Sequence, residues 1–239
     1  MKFFDLTLPS PAENLACDEA LLDLCDEQNG AEILRCWEPA EPFVVLGYAN
    51  RVASEADLSV CDALGIPILR RCSGGGTVLQ APGCLNYSLI LRIPDSGPLQ
   101  TIAGTNRFIL EKHRAVLQSL LQGEVEVRGH TDMVLGGLKF SGNAQRRKRH
   151  AFIFHGTFLL QADLKLIGKA LRMPSKEPDY RRGRSHLDFL TNLNLAPGSV
   201  KDALREAWDA TKPLKQFPSE RILELTRTKY SLPDWNLKF

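Results

Sequence analysis

The chain has 239 residues, 44% of them hydrophobic and 24% charged, which excludes a disordered, collagen-like or coiled-coil protein. Thirty Lys and Arg against 28 Asp and Glu leave a formal net charge of +2. That excess is too small for a dedicated nucleic-acid binder, which needs a basic face to neutralise phosphates. No stretch approaches the roughly 20 apolar residues of a membrane span, and Asp5 stands where a signal peptide would continue its apolar run; the expected location is the cytoplasm. The six cysteines lie between positions 17 and 84. They form no Cys-x-x-Cys pair and have no histidine at ligand spacing, so they read as reduced, packed residues and not as a zinc site.

In chain order, a strand-like run over 3–8 is stopped by Pro9 and Pro11. A helix follows, with Leu15, Ala16, Ala20, Leu21, Leu22 and Leu24 on its apolar face and Glu13, Asp18, Glu19 and Asp23 on its wet face; Asn29-Gly30 ends it. Strands are expected over 32–37 and 43–47, then a helix to about 64 capped by Ser54, then a strand over 66–70. A buried strand over 85–93 precedes an amphipathic helix over about 101–121. Further strands are expected over 125–128, 133–135, 138–140 and 151–160. Beyond Asp163 the chain reads as helices over about 163–171, 185–190, 199–210 (capped by Ser199) and 219–229 (capped by Ser219). Strands joined by tight turns, with helices between groups of them, predict an α+β fold. The chain reads as a single domain, 1–239, with a helical C-terminal extension from about 185.

Two glycine-bearing segments carry the chemistry. Arg70-Arg71-Cys72-Ser73-Gly74-Gly75-Gly76-Thr77-Val78 places three consecutive glycines between two strands. Such a turn admits positive φ, lets backbone approach a ligand closely, and presents amides to an anion. The two arginines add planar donors for phosphate or carboxylate. The spacing fits neither a dinucleotide-binding nor a Walker fingerprint; a glycine-rich hairpin with a solvated arginine pair is the alternative. Downstream, Asn86 and Ser88 share one strand face, while Leu85, Tyr87 and Leu89 share the other.

The second segment runs from Gly129 to Gln145. Gly136-Gly137 signals a hairpin turn, which sets Asp132 and Lys139 near one rim of a two-stranded ribbon. Asp132 is a plausible oxygen ligand for Mg2+ on phosphates. The basic run 146–150 reads as a solvated turn able to steer an acidic partner. His150 and His155 face opposite sides of one strand, which argues against a shared metal, and His155 reads as a packed, hydrogen-bonded residue.

Together these segments resemble the lipoate–protein ligase family, within the biotin/lipoate ligase and octanoyltransferase superfamily, over about residues 14–190. The resemblance rests on 70–78, Leu85-Asn86-Tyr87-Ser88, Lys139-Phe140-Ser141-Gly142-Asn143-Ala144-Gln145 and His155-Gly156-Thr157, with weaker support from 14–19 and 34–37. It implies a mixed β-sheet around a ligand pocket and two half-reactions: lipoate and MgATP give lipoyl-adenylate, then the acyl group passes to a lysine of a lipoyl domain. The acceptors implied are lipoyl domains of 2-oxoacid dehydrogenases or the glycine-cleavage H protein. Carried over by position, Lys139 is the catalytic residue, touching both the lipoate carboxylate and the α-phosphate. Arg71, Ser73, Gly74, Gly75, Gly76, Thr77, Val78, Leu79, Asn86, Ser141, Gly142, Asn143, His155, Gly156 and Thr157 bind ATP or lipoate, and Asp132 stands near Mg2+. The apolar tail needs a pocket, which strand alternation assigns to Leu79, Tyr87, Leu89 and Phe140. Many single-chain relatives carry a further C-terminal domain, so a separate chain supplying it is a possible partner. The alternatives are an ATP-independent octanoyltransferase, for which Cys72 and Cys84 are the nearest candidate nucleophiles, and a non-catalytic lipoate binder.

Overall fold

The computed structural model describes residues 1–27 and 30–239. Strand β1 (Lys2–Asp5) leads into helix α1 (Pro11–Asp26), strands β2 (Ile33–Trp37) and β3 (Phe43–Leu46), and two short helices, α2 (Val52–Glu55) and α3 (Leu58–Ala63). Strands β4 (Ile68–Arg70), β5 (Val78–Gln80) and β6 (Cys84–Arg92) precede the long helix α4 (Ile102–Leu120). Then come β7 (Val125–Arg128), β8 (Asp132–Leu135), β9 (Leu138–Arg147) and β10 (Ala151–Leu159). The rest is mainly helical: α5 (Leu164–Ala170), α6 (His186–Phe189), α7 (Pro197–Ala207), the short β11 (Lys212–Pro213), α8 (Ser219–Leu225) and α9 (Pro233–Asn236).

An eight-stranded mixed sheet runs in the order β11-β1-β2-β6-β10-β9-β8-β7, and a three-stranded sheet in the order β4-β3-β5. Only the β1 pairings with β2 and β11 are parallel in the large sheet. The two-residue period of β6 and β10 builds two different faces. Leu85, Tyr87, Leu89 and Leu91 with Phe152, Phe154 and Phe158 pack against α4 and α7 in one core. Ile90, Ala151 and Ile153 turn the other way, onto α1 and α8. Each of these phenylalanines is fully buried, a contribution of about 1.5–3 kcal/mol apiece from the area removed from water.

Several expected boundaries move, each for a local reason. Helix α1 starts one turn before its apolar stripe because Ser10 and Glu13 form a reciprocal capping box. It ends at Asp26, and Asn29 of the expected Asn29-Gly30 stop lies outside the described residues. Ser54 does not cap the helix that follows; the segment breaks after Glu55, and Asp57 caps α3 by accepting from the Val60 amide. Pro197 opens α7 two residues before Ser199, since its fixed φ suits a first helical position. Ser219 is likewise inside α8, which continues as a π-helical turn, Thr226–Tyr230. The short β5, absent from the sequence reading, completes the small sheet by pairing with β3.

The acidic face of α1 is not in water. Asp18 is 5% exposed and pairs with Arg35; Glu19 accepts from Lys229 and the Tyr230 hydroxyl; Asp23 pairs with Lys148 and Arg221. Asp18 is covered by the central strands, while the C-terminal helices and the residue just past β9 cover Glu19 and Asp23. The basic run 146–150 is a solvated turn only at its end, where Arg149 and His150 are exposed in the bend before β10; β9 extends through Arg147, which donates to Thr105 and to the Leu99 carbonyl, while Arg146 reaches the Cys72 carbonyl.

Candidate active site

The cavity of about 850 Å³ lies where the polar face of the large sheet meets the small sheet. Register explains its floor. Ser88 and Asn86 stand opposite His155 and Thr157, which stand opposite Ala144 and Gly142 on β9. The small residues of β9 leave space above the sheet. A side chain at Gly142 would come within 3.1 Å of the Lys139 amine, so glycine there keeps the lysine's path clear.

Lys139 enters from the Gly136-Gly137 turn, where φ values of +57° and +77° suit glycine at both positions. A bulge between Met133 and Val134 shifts the β8–β9 register and brings Asp132 beside the lysine. Nζ of Lys139 lies 2.7 Å from Oδ1 of Asp132, with the lysine side chain 26% exposed. The second carboxylate oxygen of Asp132 accepts from the Tyr180 hydroxyl at 2.8 Å. Both oxygens of Asp132 are thus occupied, and among the described residues no group of three His, Cys, Asp or Glu side chains could hold a metal. A single carboxylate does not make a resident Mg2+ site, but it is an oxygen donor of the kind that suits Mg2+ arriving on phosphates. His186 lies nearby in the wall; burial, with Arg181 and Lys139, pushes its pKa down to about 4, so it stands neutral beside the cations.

The glycine loop is built from inside. Arg71 lies in the cavity wall, yet its guanidinium turns back on the loop. Nη2 donates to the carbonyls of Gly74 at 2.6 Å and Gly76 at 2.7 Å, and Nε donates to Ser73 Oγ at 3.0 Å. Gly75 has φ +87°, and a Cβ there would sit 2.9 Å from that same Nη2. The amides of Gly74, Gly75, Gly76 and Thr77 donate to no acceptor among the described residues, and those of Gly75 and Thr77 point away from the two carbonyls that Arg71 draws inward. Burial lowers the Arg71 pKa to about 10, which leaves it charged at neutral pH. Arg70 is fully buried and braces the loop at 47–50, donating to the Gly47, Tyr48 and Asn50 carbonyls.

Almost every residue singled out in the two motifs borders the cavity: Arg71, 75–79, Asn86, Asp132, Lys139, 141–143 and 155–157. Ser73 and Gly74 do not. Ser73 is fully buried, bonded through Oγ to His155. Several others serve as struts. Gln80, Thr157 and Asn86 close a ring of hydrogen bonds of 2.6–2.9 Å. Asn143 accepts from the Tyr87 hydroxyl and donates to the Thr131 carbonyl, pinning the 129–131 loop. Of the four expected tail-pocket residues, Leu79, Tyr87 and Phe140 line the cavity, whereas Leu89 is in the core facing α4.

No cysteine stands in the cavity wall, and all six are buried. Burial raises Cys72 and Cys84 to about 11, which keeps both as unreactive thiols. Residues that sequence reasoning missed in the wall include Asp18, Trp37, Tyr180 and His186. Asp18 carried a signal, an acid beside a helix stripe, but only its partner Arg35 reveals that it points inward.

A family model of the lipoyl protein ligase A/B catalytic domain matches residues 10–207. The chain belongs to that family. It is an enzyme of the group that contains the lipoate ligases and the octanoyltransferases. The octanoyltransferase LipM of Carboxydothermus hydrogenoformans is 25% identical, over 100% of this chain and 98% of that one. Lipoate-protein ligase A subunit 1 of Thermoplasma acidophilum is also 25% identical, over 94% and 91% respectively. A solved lipoate-protein ligase A bound with ATP superposes with a TM-score of 0.80 at 24% identity, over 99% of both chains, which matches the α+β fold with its mixed sheet. No helix among the described residues is long and apolar enough to cross a membrane.

Proposed function

We propose that the protein is an ATP-dependent lipoate–protein ligase, forming lipoyl-adenylate and passing the lipoyl group to a lysine of a lipoyl domain. The observation that carries this reading is a cavity bordered at once by Lys139 and by the glycine loop over 75–79, with no cysteine in its wall. Such a site offers anions a point cation and free amides but offers an acyl group no thiolate.

Adenylation joins a carboxylate to an α-phosphate, two anions that repel. Lys139, released from Asp132 onto the incoming carboxylate, places positive charge between them and follows it to the adenylate. Fixed cations and dipoles of this kind are worth about 3 kcal/mol or more of barrier lowering. The amides of Gly75 and Thr77, which lie trans in their peptide units to the Gly74 and Gly76 carbonyls that Arg71 grips, provide donors for phosphate oxygens without reorganising. Pyrophosphate departs, and the acceptor amine then attacks the acyl carbon with AMP as leaving group. Lys139 again faces the charge that develops. Magnesium would enter as part of the nucleotide substrate, and no step here needs a protein metal site. Leu79, Phe140 and Trp37 give the acyl tail apolar wall. The whole chain is read as one catalytic unit, and the name of the Thermoplasma relative, a subunit 1, favours a separate accessory chain as partner.

The second reading, an octanoyltransferase using acyl carrier protein, is favoured by the resemblance to LipM. One assay separates them: purified protein is incubated with a lipoyl domain and either lipoate with MgATP or octanoyl-acyl carrier protein, and the domain is weighed by mass spectrometry. The ligase reading expects a lipoyl mass gain that survives Cys72→Ser and Cys84→Ser. Transfer from the carrier protein alone, lost in either cysteine variant, would establish the transferase instead. Tight lipoate binding without transfer from either donor would mark a binder.

A further inference from the structure

The segment 178–184, rich in arginine, is not a free basic surface. Its chain reverses through positive φ at Arg182 (+55°) and Gly183 (+67°). Arg181 Nε donates to the Arg184 carbonyl and Arg184 Nε to the Arg181 carbonyl, each at 3.0 Å. Both guanidinium groups lie over the buried Phe189 ring, 4.7 and 5.1 Å from its centroid. Arg184 also donates to the Tyr180 carbonyl at 3.0 Å and to the Gly137 carbonyl at 3.3 Å, in the turn just before Lys139. The segment is therefore a braced turn tied to the lysine hairpin.

What that turn presents is one side chain. The Tyr180 ring packs on Phe189 with centroids 5.2 Å apart, and its hydroxyl donates to Asp132 Oδ2 at 2.8 Å. The other oxygen of that carboxylate holds Lys139 Nζ at 2.7 Å. We propose that Tyr180 is a positioning residue for Lys139, acting through Asp132. The hydroxyl fixes the plane of the carboxylate, so that Oδ1 faces the lysine and stays behind when Nζ transfers to a ligand anion. A flexible four-carbon stem gains a defined resting place in this way, one step from the substrate. Burial and the neighbouring carboxylate keep the phenol protonated far above its ordinary range, so the donor persists at any working pH.

The activity arm rests on the ligase reading; a second arm does not. Tyr180→Phe keeps the ring on Phe189 and removes the hydroxyl, whereas Tyr180→Ala removes both. Tyr180→Phe is expected to lower kcat for lipoyl-adenylate formation about tenfold, the loss typical of one hydrogen bond to a charged group, with the KM for lipoate within about twofold. Independently, acetylation of Lys139 by acetic anhydride, mapped by peptide mass spectrometry, should accelerate about threefold in Tyr180→Phe and in Asp132→Asn as the ion pair loosens. Lys148 provides the internal control, since it is also paired with an aspartate and is comparably exposed, at 32% against 26%; its rate should not change. Wild-type Lys139 reactivity in Tyr180→Phe would overturn the proposal, as would a defect confined to Tyr180→Ala, which would assign the role to ring packing. Wild-type protein unable to form the adenylate would refute the ligase reading alone, and the acetylation rates would still decide for or against Tyr180.

Discussion

The Ser73 hydroxyl and the His155 ring stand 2.6 Å apart, Oγ to Nε2, and join the glycine loop to the buried centre of the sheet. Behind the ring, Nδ1 lies 3.4 Å from Asp18 Oδ2, and Asp18 in turn takes Arg35 Nη1 at 2.6 Å. The order resembles a hydrolytic triad, but Ser73 is fully buried, outside the cavity, and already accepts from Arg71 Nε. The arrangement is a strut that fixes where the glycine loop starts.

If the strut sets the loop, His155→Ala should weaken nucleotide binding more than it weakens the fold. We expect the KM for ATP to rise about tenfold, the equivalent of one or two lost hydrogen bonds, while the KM for lipoate changes less. Steady-state kinetics on both substrates checks this. Equal changes in both would point to general disruption.

Lys139→Ala should abolish lipoyl-adenylate formation with the fold retained. The side chain is partly exposed and Asp132 keeps its bond to Tyr180, so the stability cost should stay near 1 kcal/mol, as for other partly exposed ion pairs. Pyrophosphate exchange and a thermal melt test the two halves. Retained exchange would remove Lys139 from the chemistry.

The glycine loop separates two substitutions that look alike in sequence. At Gly74 an added Cβ meets nothing within 4 Å, whereas at Gly75 it meets Arg71 Nη2 at 2.9 Å with φ at +87°. Gly75→Ala is expected to destabilise by about 1–2 kcal/mol through strain at positive φ and to reduce adenylation. Gly74→Ala should alter stability by less than about 0.5 kcal/mol. Urea unfolding of the two variants side by side is the measurement.

Asp18 gives a pH dependence with a definite sign. Burial by itself would raise its pKa; Arg35 and His155 outweigh that and hold the carboxyl below its ordinary value of 3.8. A folded-state pKa below the unfolded one contributes stability above the unfolded value, lost as pH falls through the folded one. Asp18→Asn should therefore be destabilised at pH 7 by roughly 3–5 kcal/mol, the usual consequence of leaving a buried partner charge unpaired. Its deficit relative to wild type should shrink as pH falls below 3.8. Unfolding free energies measured from pH 7 down to pH 3 check it, and a deficit that stays constant would remove Asp18 from the acid response.

Local spacing alone determined much of this protein. Alternation in 85–89 defined the two faces of a central strand, the paired glycines at 136–137 set Asp132 and Lys139 near one rim, and the triple glycine marked the loop that borders the cavity. These features are legible because glycine and the two-residue period act on immediate neighbours. Only the tertiary structure decided which polar groups face the site. Asp18 and Glu19 read as solvent-exposed until Arg35 and Lys229 came to meet them from elsewhere in the chain. Arg71 read as a free phosphate ligand until its donors closed on Gly74 and Gly76. Tyr180 carried no signal at all, since its meaning rests on a carboxylate 48 residues away. Periodicity reports that a face is polar; whether that face meets water, a ligand or a buried counter-charge depends on what packs over it, and that is settled only when distant segments fold together.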